Sequence, residues 1–107
     1  MTRIVLLLLV LAGCQAKPTT SSVTFVPDLE GILVLPHDKR IDFGRSPMGV
    51  VPILDREMGM RKVRSLSGCP ADITARYQWG DLVLSFTPER FVGWRKGARS
   101  QGLTCAS

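Results

Sequence analysis

The stretch TARYQWGDLVLSFTPERFVGWRK, residues 74–96, decides the fold. Gly80-Asp81 suits a two-residue hairpin loop, because Gly at its first position tolerates the positive φ of a type II′ turn. Pairing across that loop sets Trp79 opposite Leu82, Tyr77 opposite Leu84 and Ala75 opposite Phe86, so one face is wholly apolar. Arg76, Gln78, Ser85 and Thr87 fall on the other face, as the two-residue period of a strand demands. Pro88-Glu89 suits the centre of a type I turn, which returns Arg90 to Arg95 as a third strand. Phe91 then lies beside Phe86, Gly93 faces Leu84, and Trp94 lands on the opposite face near Val83.

A three-stranded meander with one apolar face needs a cover. The sequence offers FGRSPMGVVPILDREMG, residues 43–59. Ser46 is a good N-cap, Pro47 occupies the first helical position, and Gly59 supplies a stop. Pro47, Val50, Val51, Leu54 and Met58 recur at helical spacing and make one apolar face. Pro52 interrupts this pattern, so the helix kinks or restarts there. Upstream, VTFVPDLEG and ILVLP have strand composition broken by Pro27, Gly31 and Pro36, which predicts a strand over Ile32 to Leu35 and another over Arg40 to Phe43. The expected class is α+β: one amphipathic helix packed on a three- to four-stranded antiparallel meander, with one disulfide.

The N-terminus carries a different message. Arg3 is followed by an uncharged apolar run from Ile4 to Ala12, too short to span a bilayer, which needs about 20 residues. This is the build of an export signal. Leu11-Ala12-Gly13-Cys14 resembles the lipobox of bacterial lipoproteins, and the resemblance implies a signal peptide over residues 1–13 that is cut before Cys14. It also implies that Cys14 carries diacylglycerol through a thioether, with its freed amine acylated by a chain such as palmitate. Only a thiolate is nucleophilic enough near neutral pH to take the lipid. Two or three chains then hold the protein, since one alone binds marginally at about 0.8 kcal/mol per buried methylene. Gln15 leaves the choice between cell membrane and outer membrane open.

Residues 14–22 read as the lipidated Cys and a flexible tether, QAKPTTSS, without a large apolar residue. Residues 23–107 read as one small α+β domain. The whole chain has 14 Lys plus Arg against 9 Asp plus Glu, and without Arg3 in the leader the side-chain balance is +4. A chain this short benefits from a staple. In an oxidising envelope compartment Cys69 and Cys105 read as one disulfide, which would stabilise by roughly 3 to 4 kcal/mol. Two free thiols are the alternative.

The order lipobox, tether, IDFGRSPMGVVPIL, then three strands is similar to the small envelope lipoproteins of the SmpA/OmlA (BamE-like) fold. Gly44-Arg45-Ser46 stands where that family has Gly-Met-Thr, and Val50 or Val51 stands at its helix valine. Arg45, Pro52 and a loop containing Cys69 in place of a second helix depart from the pattern. YQWGDLVLSFTPERFVGW is also similar to a motif of bacterial exported proteins, and neither motif is catalytic. Trp94-Arg95-Lys96-Gly97 loosely resembles a Trp-x-Lys-Gly segment of lipoproteins that inhibit C-type lysozyme.

Little chemistry is encoded. His37 is the one histidine, in LPHDK, and reads as a loop residue in water rather than half of a catalytic dyad. No set of four metal ligands, Walker motif or Rossmann motif occurs, so no catalytic residue, metal or cofactor is assigned. The basic clusters Arg61, Lys62, Arg64 and Arg95, Lys96, Arg99 could meet anionic lipid, lipopolysaccharide phosphates or an acidic partner, or simply face water. Trp94 reads either as an interface anchor or as packed against residues 23–35 on the back of the sheet. The function expected is non-enzymatic: a membrane-anchored accessory protein in the periplasm that binds another envelope protein, with a lysozyme inhibitor as the alternative and no nucleic-acid partner.

Overall fold

The computed structural model describes residues 23–106, so the leader, Cys14 and the expected tether lie outside the described residues. Two antiparallel sheets face one another. The first contains β1 (Thr24–Asp28), β2 (Gly31–Leu35) and β3 (Lys39–Asp42), paired in chain order. The second contains β4 (Lys62–Val63), β5 (Ala75–Trp79), β6 (Leu82–Phe86), β7 (Phe91–Lys96) and β8 (Arg99–Gly102), again in chain order. Between them the chain makes a 3-10 turn, Pro47–Gly49, and one short helix, α1 (Val51–Met58).

The α+β class expected from the sequence is therefore corrected. The fold is mostly β, and the apolar face of the meander is covered by the β1–β3 sheet together with the short helix, not by a helix alone. The β1–β3 sheet contributes Ile32, Val34 and Ile41 to the core, while the helical segment contributes Val50 and Leu54. Both groups meet Trp79, Leu82, Leu84, Phe86, Phe91 and Trp94 of the five-stranded sheet. Short alternating segments covered by opposing strands are what a two-sheet architecture requires.

Why the helix is short is visible residue by residue. Ser46 does cap, its Oγ accepting from Gly49 N at 3.3 Å, but it caps the 3-10 turn and not the α-helix. The helix restarts at Val51, which leaves Pro52 in its first turn, where a missing N–H loses no hydrogen bond. Gly59, with φ of 97°, ends it, its N–H donating to Asp55 O at 3.0 Å. Of the predicted apolar face, Val50 and Leu54 are fully buried, whereas Met58 is 42% exposed.

The hairpin across Gly80-Asp81 has the register read from the sequence, with Trp79 opposite Leu82, Tyr77 opposite Leu84 and Ala75 opposite Phe86. The next pairing differs by one residue. Phe86 does lie opposite Phe91, but Ser85 lies opposite Gly93 and Leu84 opposite Trp94, because a bulge intervenes between Ser85 and Phe86. One inserted residue sends every later side chain to the other face. Trp94 thus enters the core at 3% exposure, and Gly93 occupies the outer face.

The sheets are clasped at two places. Gly44 N donates to Phe91 O and Phe91 N donates to Arg45 O, both at 2.8 Å, joining the chain after β3 to the start of β7. Trp94 Nε1 donates to Asp28 O, also at 2.8 Å. Cys69 and Cys105 form the expected disulfide across 36 residues. It does not touch the core just described. Instead it ties residues 103–106 to the 65–74 loop on the outer face, where Ala106 N also donates to Gly68 O at 2.9 Å.

Candidate functional site

The residues expected at an interface separate into three settings. Trp94 is withdrawn into the core, so the expectation of an exposed anchor is corrected; it does contact the 23–35 segment, through Asp28, but on the apolar face rather than on the back of the sheet. Lys96 leans on Asp81 at 3.6 Å, and Arg99 stacks on the Trp94 ring with 5.4 Å to its centroid. Lys62 is exposed on the short edge strand β4.

Arg64 and Arg95, though 31 positions apart in sequence, flank a third cation that the sequence reading left on a polar face. Arg76 is 3% exposed and donates from Nε and Nη2 to Ser65 O at 3.1 and 2.8 Å. Burial, and then the charges of Arg64 and Arg95, push its guanidinium below the usual pKa. Arg64 is spent on Gln78 Oε1 at 2.6 Å and Arg95 on Cys105 O at 3.0 Å. Arg76 and Arg95 thus hold loop and tail backbone onto the outer face, while Arg64 braces the Gln78 side chain. Guanidinium suits that task, since it carries five donors in a fixed fork.

Arg61 has another role. Asp55, from the middle of α1, accepts from Trp79 Nε1 at 3.0 Å, from Arg61 N at 3.1 Å and from the Arg61 guanidinium. Arg61 also covers the Tyr77 ring, 4.9 Å from its centroid. One carboxylate therefore ties the helix, β5 and the segment entering β4 together. Beside this knot lies an open groove of about 590 Å³, walled by Pro47, Met48, Val51, Pro52 and Tyr77 and rimmed by Asp55, Arg56 and Arg61.

Arg56 is shared with a second hollow of about 450 Å³, where Val23, His37, Lys39, Arg45, Ile53 and Glu57 converge. The chain enters the domain there. Met48, which walls the first hollow, is 81% exposed, and Met60, two residues past the end of α1, is 82% exposed. The sequence reading missed this surface because it assigned the helix a single buried stripe. The exposed methionines follow from the 3-10 turn, which points Met48 outward, and from the early stop at Gly59, which leaves Met60 beyond the helix.

His37 is exposed and bordered by cations and by Glu57, with no serine or cysteine among the residues lining its hollow. Among the described residues no three His, Cys, Asp or Glu side chains converge as a metal site. An apolar groove with guanidinium at its rim can receive an apolar group attached to an anion. Compared with known families, curated proteins and solved structures, the chain matches none of them.

Proposed function

We propose that this chain is a bacterial envelope lipoprotein, held at the cell membrane or outer membrane through Cys14, with its small β domain acting in the periplasm by binding and not by catalysis. The observation that carries the reading is Leu11-Ala12-Gly13-Cys14 directly after one cation and a short apolar run. Every element of an export-and-lipidation signal stands there in order. The paired Cys69 and Cys105 fit an oxidising compartment.

Anchoring supplies the mechanism. Confinement to a surface raises the effective concentration of the domain toward anything else held there, so a modest interface is occupied without high intrinsic affinity. A partner would be another envelope protein, and nucleic acid does not meet a protein at that address. The rival reading, an inhibitor of C-type lysozyme presenting Trp94-Arg95-Lys96-Gly97, would have to work without its aromatic side chain, which is buried.

Intact-mass analysis of protein from the native host, combined with labelling by an alkynyl fatty acid, tests the anchor. The expected result is a diacylglyceryl-modified Cys14 at the mature N-terminus and loss of the label in Cys14→Ser. An unmodified Cys14, with the leader retained or cut elsewhere, overturns it.

A further inference from the structure

Resting on that reading, we propose that the surface around α1, with Met48 just before the helix, Met58 and Met60 at and beyond its end, and Lys39, Arg45 and Arg56 lining the hollow beside it, lies against the headgroup layer of an anionic bilayer. Its partner is the membrane itself. The first argument is where the chain enters. Val23 lines the same hollow as Lys39, Arg45 and Arg56, and it also borders Met58. Only nine positions separate it from Cys14, and that length of chain spans at most about 30 Å when fully extended. A lipid on Cys14 therefore keeps this surface within about 30 Å of the bilayer, nearer than the far ends of the sheets.

Charge supplies the second argument. The carboxylates bordering these hollows are already paired, Asp55 with Arg61, Glu57 with Arg56 at 3.3 Å and Asp81 with Lys96 at 3.6 Å. Lys39 and Arg45 have no carboxylate partner among the described residues, so the surface keeps a positive balance. Anionic lipid attracts such cations within a Debye length. The third argument is chemical. Methionine is unbranched, flexible and apolar, and three of the four in the chain stand exposed just before, at the end of and just after α1. Insertion of their thioethers below the phosphates, with the arginines at phosphate level, is the arrangement of an interfacial contact.

The test uses the mature chain from residue 14 with Cys14→Ser, so that no acyl chain contributes. Its core residues all lie between Ile32 and Cys105, and removal of the leader leaves them in place. Sedimentation with phosphatidylglycerol/phosphatidylethanolamine vesicles should show partitioning that weakens as salt rises and is much reduced on phosphatidylcholine. Met48→Glu with Met60→Glu should lower partitioning at least about tenfold, and Lys39→Gln or Arg45→Gln about fivefold each. Leu29→Glu, at an exposed position on the opposite end of β1, should change nothing. Circular dichroism checks that each variant is folded.

Absence of partitioning, indifference to lipid charge, or an equal loss in Leu29→Glu overturns the proposal. So does a soluble protein that needs Met48 and Met60 while vesicles do not bind. The two readings fail separately: a lipidated Cys14 with no vesicle binding removes this surface and keeps the anchor, whereas vesicle binding with an unmodified Cys14 does the reverse.

Discussion

The two faces of the five-stranded sheet are covered in different ways. On the inner face Trp79, Leu82, Leu84, Phe86 and Trp94 meet another sheet and a helix, so water is excluded mainly by apolar area, with the two indole N–H groups bonded to Asp55 and Asp28. On the outer face Val83, Ser85 and Arg76 are equally buried, at 8%, 2% and 3% exposure, but what covers them is a loop and a tail with few large side chains. Ile73 and Cys105 are the buried apolar residues those segments supply. Guanidinium-to-carbonyl bonds and the disulfide supply the rest. A strand can thus be buried on both sides although only one side has a hydrophobic partner worth the name.

The largest effect should come from the inner face. Phe86 is fully buried and sits 5.7 Å ring to ring from both Phe91 and Tyr77. Phe86→Ala should destabilise by about 3 to 5 kcal/mol. Urea unfolding followed by tryptophan fluorescence measures it, and since Trp79 and Trp94 both lie in this core, the transition should stay cooperative. A loss under about 1 kcal/mol would mean that the inner face is not the cohesive one.

Removing the staple should come next and look different. Closure of 36 residues is worth roughly 4 kcal/mol in the chain-entropy account. In Cys69→Ser with Cys105→Ser, the amides of Leu103 and Ala106, which donate to Val92 O and Gly68 O, should lose hydrogen-exchange protection before those of β5 and β6. Simultaneous loss in both places would show that the outer cover and the inner core are one cooperative unit.

Gly93→Ala probes the same cover from beneath. A Cβ there would stand 2.0 Å from Leu103 O, so the tail backbone must move. The expected loss is about 1 to 3 kcal/mol, confined at first to residues 103–106. This glycine is also where the sequence spoke and was misread. A lone Gly inside a strand pattern signals a bulge or a close backbone approach, and here it marks both, since the register slips beside it and Leu103 lies on it. Reading Arg90 to Arg95 as an unbroken strand put Trp94 on the wrong face.

What was legible was local. The Gly80-Asp81 hairpin, a cap at Ser46 (of the 3-10 turn), a helical restart beside Pro52 and the Cys69 to Cys105 pair each depend on residues near one another or on a pair with no competitor. The β1–β3 sheet was not legible as a separate layer, because its strands find their cover in strands some 40 to 60 positions later. β8, Arg99-Ser100-Gln101-Gly102, carries no strand composition at all. It pairs because Gly97, with φ of +63°, turns the chain back alongside β7. Of the candidate surface, the basic residues could be named from composition, but the exposure of Met48 and Met60 depends on where the helix begins and ends.

The smallest effect belongs to neither face, at the rim where the sheets are clasped. Arg40 forks onto Asp28, Nη2 to Oδ1 at 2.7 Å and Nη1 to Oδ2 at 2.9 Å, and its Nε reaches Asp42 at 2.7 Å. The hydrogen bonds from Arg40, foremost, hold the Asp28 carboxyl below the usual carboxylate pKa, against the opposing pull of partial burial. A depressed folded-state pKa means that the unfolded chain binds the proton more readily. The stabilisation is therefore complete above the unfolded value near 3.8 and is lost as pH falls through the folded one. With more than a third of the Asp28 side chain exposed, solvent screening limits the pair to less than about 1 kcal/mol. Asp28→Asn should lower stability by that amount at pH 6 and leave it unchanged near pH 2, measured by urea midpoints at both. Its backbone carbonyl, which receives Trp94 Nε1, survives the substitution, so a larger loss at pH 6 would show that the side-chain pair positions the clasp between the sheets.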